Sequence, residues 1–417
     1  MSSSGNQVMM IILSSFLCVL FLLSALIRIF HKLWWTPTRI QNLMVLQGIK
    51  GPSYRFIHGS TKEISNMKKE IMSRPMSLSH DILSAVQPHI HSWTKIYGKI
   101  FLQWHGSQAQ LITMDPELCK EILNNKDRAY TKKKPQGYVK KLVGNGLGTT
   151  EGEKWTKLRK VTNHAFHGES LKFMIPEMIA SAETMLKGWK NHEGKEIEVF
   201  ELFRFLTSEV ISRTAFGSSY LEGKNIFENM VKLSFFLVKN SFTVRFPVFS
   251  KFLRTSDEIE SDKLEKAIYN SIVEIVKRRE EKALMSGEDN SFGNDFLGSL
   301  LEAHHDANEI SIDDLEVLQL FDKRTPDHDG LSKLKTMSMV INESLRLYPP
   351  VLNIVRKVKR EVRLGKLIVP ANVEVHIPTL ALHHEPLFWG QDVQLFKPER
   401  FSEGVAKATN NVMLHPL

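Results

Sequence analysis

Residues 8–27 form an unbroken run of twenty uncharged positions rich in Leu, Ile, Phe and Met. A helix needs about twenty apolar residues to cross the hydrocarbon core of a bilayer, where the backbone must satisfy its own hydrogen bonds. The run therefore predicts one membrane span. It is longer than the apolar part of a typical signal peptide, and no small-x-small cleavage site follows it. Arg28, His31, Lys32 and Arg39 come directly after it. The positive-inside bias then leaves the body of the protein in the cytosol and the short amino terminus outside. Trp34 and Trp35 suit head-group depth, where an amphipathic ring meets both phases. Gly48, Gly51 and Pro52 end a short stiffened stretch. The expected division is an anchor over 1–30, a linker over 31–52 and a globular body over 53–417.

Within the body, helical spacing outnumbers strand-like alternation, so the fold class expected is mainly α with small β-sheets (α+β). Residues 86–97 have helical spacing. After Gly98, the alternation of Ile100 to Trp104 predicts a strand, Gly106 a turn, and Gln110 to Thr113 a returning strand. Asp115-Pro116-Glu117 has the make-up of a helix start: a capping carboxylate, proline at the first helical position and an acid near the positive end of the dipole. Cys119 falls inside that helix and reads as a small buried hydrophobe. Gly144-Asn145-Gly146-Leu147-Gly148 lacks both a leading strand and a closing Lys-Ser or Lys-Thr, so it reads as a turn and not a phosphate loop. From Pro176 to about Lys282 the pattern is long amphipathic helix. The run Lys277-Arg278-Arg279-Glu280-Glu281-Lys282 reads as a solvated helix face. Strand-like alternation returns at 361–364 and 373–377.

Composition adds limits. At 417 residues and 42% apolar, the chain can bury a sizeable core. Its net charge of +9 favours anionic surfaces such as phospholipid head groups or acidic proteins. Without zinc-finger spacing or an arginine-rich tract, nucleic acid is not an expected partner. Two cysteines, Cys18 and Cys119, exclude a disulfide framework and a cysteine-rich metal site. His383-His384-Glu385 has no metal-binding spacing, since neighbouring histidines on a strand point to opposite faces.

Two charged motifs carry the most information. In Glu343-Ser344-Leu345-Arg346-Leu347-Tyr348-Pro349-Pro350, the carboxylate and the guanidinium share a helix face that the prolines then stop. Alone, such a pair is more often a solvated surface bridge. Phe396-Lys397-Pro398-Glu399-Arg400-Phe401 follows, with Arg400 fifty-four residues after Arg346. Glu-x-x-Arg followed by Pro-Glu-Arg-Phe resembles the cytochrome P450 family. The resemblance implies that Glu343, Arg346 and Arg400 form a structural triad bracing the core beside a haem. Physically, a carboxylate forked by two guanidiniums can be buried because its lone pairs are occupied. By the same resemblance Trp155 and Arg159, four apart in Trp155-Thr156-Lys157-Leu158-Arg159, and Arg356 would hold haem propionates. Without it, an amphipathic helix with Trp155 inward and Arg159 snorkelling is the simpler reading. The apolar runs at 233–238 and 242–249 correspond to the family's substrate-facing and membrane-facing helices, or to ordinary helical core.

The Trp-Thr-Lys-Leu-Arg-Lys run, Glu-Ser-Leu-Arg-Leu-Tyr-Pro-Pro and His-His-Glu-Pro resemble plant microsomal members of the seventy-two clan. That likeness implies a haem monooxygenase of the endoplasmic reticulum membrane, single-pass and facing the cytosol. It would take electrons from NADPH through a membrane-bound reductase and hydroxylate a hydrophobic small molecule, terpenoid or hormone-like. Two family elements are expected to be missing. Only twenty-eight residues separate Asp314 from Glu343, too few for the long oxygen-activating helix and the helix after it, and no Thr-Thr pair lies there. The chain ends sixteen residues after Phe401, before the family's Phe-x-x-Gly-x-Arg-x-Cys-x-Gly segment. The thiolate that supports O–O cleavage is therefore expected to be absent, so that no residue is expected to be catalytic and no metal ligand is assigned. Three readings stay open: a monooxygenase with segments lost from the gene reading, a non-catalytic membrane-tethered binding remnant, or another enzyme on the same framework, for which no replacement nucleophile is found. Loss of the central helix should also leave apolar surface uncovered.

Overall fold

The protein is seen in a computed structural model that describes residues 2–217, 220–240, 254–286, 292, 295–298, 300–301 and 335–409. The expectations placed on 242–249, on most of the Asp314 to Glu343 interval and on the last eight residues lie outside them. The chain divides into two compact units, one from 1–131 and 339–417, the other from 132–241 and 245–338.

The first unit opens with helix Ser2–Phe30, whose apolar side chains are exposed on all sides along most of its length. Such all-round apolarity suits a helix facing lipid. One π-helical turn, His31–Trp35, leads into helix Thr36–Leu46. Met44 of that helix is fully buried in the core, and Ile49 joins it. The hydroxyl of Tyr54 donates to the carbonyl of Leu33 inside the π turn, and Trp34 packs edge-on against Phe56 at 6.0 Å between ring centres.

A five-stranded sheet forms the centre of this unit. Its strands are β1 (Ile100–His105), β2 (Gln108–Thr113), β3 (Tyr130–Lys132), β4 (Ile354–Val358) and β7 (Glu374–Ile377), in the order β1-β2-β7-β4-β3. β5 (Val362–Leu364) and β6 (Leu367–Val369) make a separate hairpin. The β1–β2 hairpin is closed by two residues, and Gly106 takes the positive φ of 57° that such short turns require. Helix Pro88–Tyr97 sends Ile90 and Trp93 into the sheet, Trp93 lying edge-on to Phe101. It is separate from the short turn Leu83–Val86 because Pro88 forces Gln87 out of the helical region. Asp115 caps helix Pro116–Asn124 by accepting from the Leu118 amide at 3.0 Å.

Both faces of β1 and β2 are covered, so polar side chains are buried where alternation alone would expose them. They are paired instead: Gln103 donates to Gln110 at 3.0 Å, and Gln110 donates to the Glu374 carboxylate at 3.0 Å across the β2–β7 register.

The second unit is helical, with helices Gly137–Val143, Gly152–Ala165, Gly168–Lys190, Val199–Phe216, Tyr220–Asn240 and Ser256–Ser286. Glu198 caps Val199–Phe216 by accepting from the Phe200 and Glu201 amides. One member of the 277–282 charge run does not face water. Arg279 is half-buried and donates to the carbonyls of Phe292 and Phe216 and to Asp295. The inward stripe Ile272, Ile275, Val276 continues into Arg279, which the helical period places on the same side. Exposed apolar side chains remain on several helices, among them Phe200 at 70% and Phe235 at 67%.

Replacing Arg279 by Ala removes the guanidinium partner of Asp295 and a donor to two carbonyls in a largely dry site. The expected loss is about 3 kcal/mol of unfolding free energy, readable as a lower midpoint in chemical denaturation.

Candidate functional site

Helix Lys335–Leu347 ends with Glu343 and Arg346 fully buried. Their spacing puts both side chains on one face, and the guanidinium grips the carboxylate with two parallel bonds, Nε to Oε2 at 2.7 Å and Nη2 to Oε1 at 2.8 Å. The rest of each group is also engaged. Arg346 Nη1 donates to the His383 carbonyl at 2.9 Å, and Nη2 reaches the Leu395 carbonyl at 3.4 Å. Glu343 Oε1 also accepts from the Lys397 amide at 2.9 Å. The Trp389 ring lies 5.3 Å from the guanidinium carbon, within cation–π range. A fully buried ion pair is tolerable only when its remaining donors and acceptors are met in this way.

Arg400 stands one step out. Its Nε is 3.7 Å from Glu343 Oε1, an ion-pair distance too long for a hydrogen bond. Its shorter contacts go elsewhere: to the Trp389 carbonyl, to Asp392 Oδ1 at 2.9 Å and to the Asp392 carbonyl at 3.0 Å. Asp392 is thus a member of the cluster that sequence reasoning missed. Hydrogen bonds from Lys397 and then Arg400 hold its carboxyl down at about 2. The signal was present as an acid eight residues before Arg400, but in an irregular segment that distance has no periodic meaning.

His383 and His384 close helix Thr379–His383 and the residue after it, so the reason given above for discounting them, a strand with opposite faces, is corrected. No alternation runs through Thr379-Leu380-Ala381-Leu382, all of which are buried. His384 faces the Leu347 carbonyl at 3.0 Å. His383 is fully buried, neither ring nitrogen has a hydrogen-bond partner among the described residues, and desolvation pushes its pKa down to about 4. Among the described residues no group of three or more His, Cys, Asp or Glu could hold a metal ion.

Trp155 and Arg159 share a face of helix Gly152–Ala165 in the second unit. Leu158 points inward there, while Trp155 is 37% exposed with the Lys132 ammonium 5.5 Å from its ring. Trp155 is therefore not the inward member of this helix. An indole N–H and a guanidinium on one open face are donors that suit a carboxylate. Arg356 lies on β4 in the first unit, where its Nη1 donates to the Val355 carbonyl at 3.1 Å.

The cysteines complete the inventory. Cys119 is buried in helix Pro116–Asn124, its Sγ 3.7 Å from the Thr113 carbonyl, and burial, with Asp115 adding to it, pushes the thiol up to about 12. It is a neutral S–H under ordinary conditions. Cys18 is exposed on the apolar helix Ser2–Phe30. Neither fits the role of a thiolate ligand to haem iron, so no chemical step is derived through that group.

Replacing Glu343 by Gln leaves Arg346 charged and buried without its counter-ion. It is expected to cost about 3–5 kcal/mol of stability, and Arg400→Ala clearly less, since Arg400 is the outer member; paired thermal melts give the order. His383 is depressed from its ordinary 6.5 to about 4, so the stability that its neutral form contributes is present above pH 6.5 and is lost as pH falls toward 4. His383→Leu should flatten the decline of unfolding free energy with acid over that window.

Comparison with known proteins bears on the family. The sequence model of the cytochrome P450 family matches residues 82–322 and again 315–416, two segments that overlap at 315–322. Cytochrome P450 CYP749A22 of Panax ginseng is 51% identical over 441 aligned positions, which take in 96% of this chain and 84% of that protein. Since 96% of 417 residues is about 400, about 40 of those positions have no counterpart here. Cytochrome P450 72A68 of Medicago truncatula is 35% identical, over 92% of this chain and 82% of its own length. The 7-deoxyloganic acid hydroxylase of Catharanthus roseus is 33% identical, over 92% and 83% respectively. The family's cofactor is haem, and its plant members of the seventy-two clan are the ones this sequence resembles. A mainly helical chain with small sheets, matched along most of its length by these relatives, belongs to the cytochrome P450 family.

Proposed function

We propose that this chain descends from a microsomal haem monooxygenase acting on a hydrophobic small molecule, terpenoid or hormone-like, and that the 417 residues by themselves do not carry out that reaction. In this reading residues 1–30 anchor the protein in the endoplasmic reticulum membrane, 31–52 link, and 53–417 form a partial P450 domain on the cytosolic side. Glu343, Arg346 and Arg400 brace the region beside the cofactor site. Trp155, Arg159 and Arg356 are the propionate donors. The redox partner is the NADPH-dependent reductase that serves the family. Support for the substrate class comes from the hydroxylase among the relatives, whose name specifies 7-deoxyloganic acid. Support for the anchor comes from the uninterrupted exposed apolar helix and the basic residues after it.

One observation carries the proposed lack of activity: the only two cysteines are a buried thiol held protonated and a residue of the apolar anchor. Haem-thiolate chemistry depends on electron donation from a deprotonated sulfur, which lowers the barrier to O–O cleavage. A second reading, that coding segments are skipped in this sequence, is favoured by the two overlapping family matches and by the roughly 40 uncounterparted positions. Adjacent genomic DNA should then encode the intervening helix, and an uninterrupted stop there would sink that reading.

For the chain as it stands, reconstitution with haem followed by reduction and carbon monoxide should give no Soret band at the position diagnostic of thiolate ligation. Appearance of that band overturns the proposed inactivity.

A further inference from the structure

In the first unit, between helix Thr61–Met72 and the turn Leu83–Val86, residues 73–82 form neither helix nor strand, and every residue from Met72 to Ser79 is exposed. Pro75 has no N–H to donate and disfavours a helical Arg74, so the preceding helix stops here. Among the described residues, the one backbone hydrogen bond within 75–79 runs from the Ser79 amide to the Ser77 carbonyl, at 2.9 Å. A segment held by so few contacts opens at little cost. Met76 and Leu78 stand in water on it, Leu78 fully exposed, and core packing accounts for neither.

Arginine stands three residues before a serine or threonine at four places in the chain: before Ser77, Thr131, Thr162 and Thr207. Three of these hydroxyls are engaged within regular structure. Thr131 lies on β3 and donates to the Lys357 carbonyl at 3.1 Å. Thr162, buried in helix Gly152–Ala165, donates to the Leu158 carbonyl at 2.8 Å, and Thr207, inside helix Val199–Phe216, to the Phe203 carbonyl at 2.9 Å. Of the four, only Ser77 is an exposed residue on backbone outside helix and strand. Its neighbours lack the same context, since Glu70 stands three before Ser73 and Met76 three before Ser79. Arg74 pairs with Glu70, but both side chains are largely exposed, and such a surface pair contributes under about 1 kcal/mol, so the arginine is easily drawn to another partner.

An enzyme that modifies a serine within a protein needs an accessible backbone it can thread through a groove, a charge that fixes the register and an apolar anchor beside the reacting hydroxyl. Residues 74–78 supply all three. We propose that Ser77 is a phosphorylation site for a serine kinase whose groove offers an acidic pocket to Arg74 and an apolar pocket to Leu78. ATP is the donor. The bond between its γ-phosphorus and the β–γ bridging oxygen breaks, a bond from that phosphorus to Ser77 Oγ forms, ADP leaves, and the hydroxyl proton passes to the kinase's catalytic carboxylate. The phosphate then gives Arg74 a more highly charged partner than Glu70. In the cell the reaction rests on the proposed cytosolic placement of residues 53–417, where ATP is supplied; the test below does not depend on that placement.

The test incubates the full chain, in lipid nanodiscs, with the catalytic subunit of cyclic-AMP-dependent protein kinase and magnesium ATP, and locates phosphate by peptide mass spectrometry. Free peptides spanning Ser77, Thr131, Thr162 and Thr207 show what the sequence alone permits. Phosphate is expected on Ser77 of the chain at a rate close to that of its peptide, and not on Ser73, Ser79 or the three threonines. Arg74→Gln should slow the reaction about 10- to 100-fold, the worth of one hydrogen-bonded charge contact, and Leu78→Ser about tenfold. Both positions are exposed, so thermal melts of these variants should match the unaltered chain. Absence of phosphate from Ser77 in nanodiscs overturns the site, and its appearance only after transfer to detergent does so by showing that lipid covers Met76 and Leu78. An unchanged rate in Arg74→Gln also overturns it. So does phosphorylation of the three threonines in the chain as fast as in their peptides, which marks recognition of sequence without the fold.

Discussion

The fully buried pair of Glu343 and Arg346 is the interaction on which the first unit most depends. Two opposite charges removed from water are tolerated only when geometry and extra hydrogen bonds offset their desolvation. Here the extra bonds come from a helix end and an irregular segment: the His383 carbonyl, the Leu395 carbonyl and the Lys397 amide. The pair therefore serves as the hydrogen-bonding partner of backbone groups at residues 383, 395 and 397. Arg400 and Asp392 add an outer layer that ties the Trp389 carbonyl to the same centre.

Much of this was legible in sequence because it rests on short, periodic relations. Glu343 and Arg346 are three apart on a helix, Asp115 stands next to Pro116, and the β1–β2 hairpin turns at a glycine. What escaped rests on tertiary cover. Gln103 and Gln110 are buried because both faces of their strands are packed, which alternation cannot reveal. Arg279 sits in a charge run that looks solvated until its phase with Ile275 and Val276 is counted. Asp392 meets Arg400 through an irregular segment, and His383 was placed on a strand where a helix end exists. The candidate site was therefore readable at its centre and less so toward its rim.

Family membership is carried by scaffold more than by reactive groups. The bracing pair, the capped helices and the sheet are scaffold. Cys119 illustrates the distinction: burial that makes it a good core residue is what keeps its sulfur protonated and unreactive.

The π turn at His31–Trp35 has a mechanical side. A π turn holds one residue more than the α-helical path it replaces, so it changes the azimuth of everything beyond it without breaking the rod. Tyr54 clasps that turn from the body through the Leu33 carbonyl. The joint therefore works as an indexed coupling: it sets which side of the apolar helix faces the head of the protein, and a single-residue insertion or deletion there would re-index that helix by about 100°, the angular step of one helical residue.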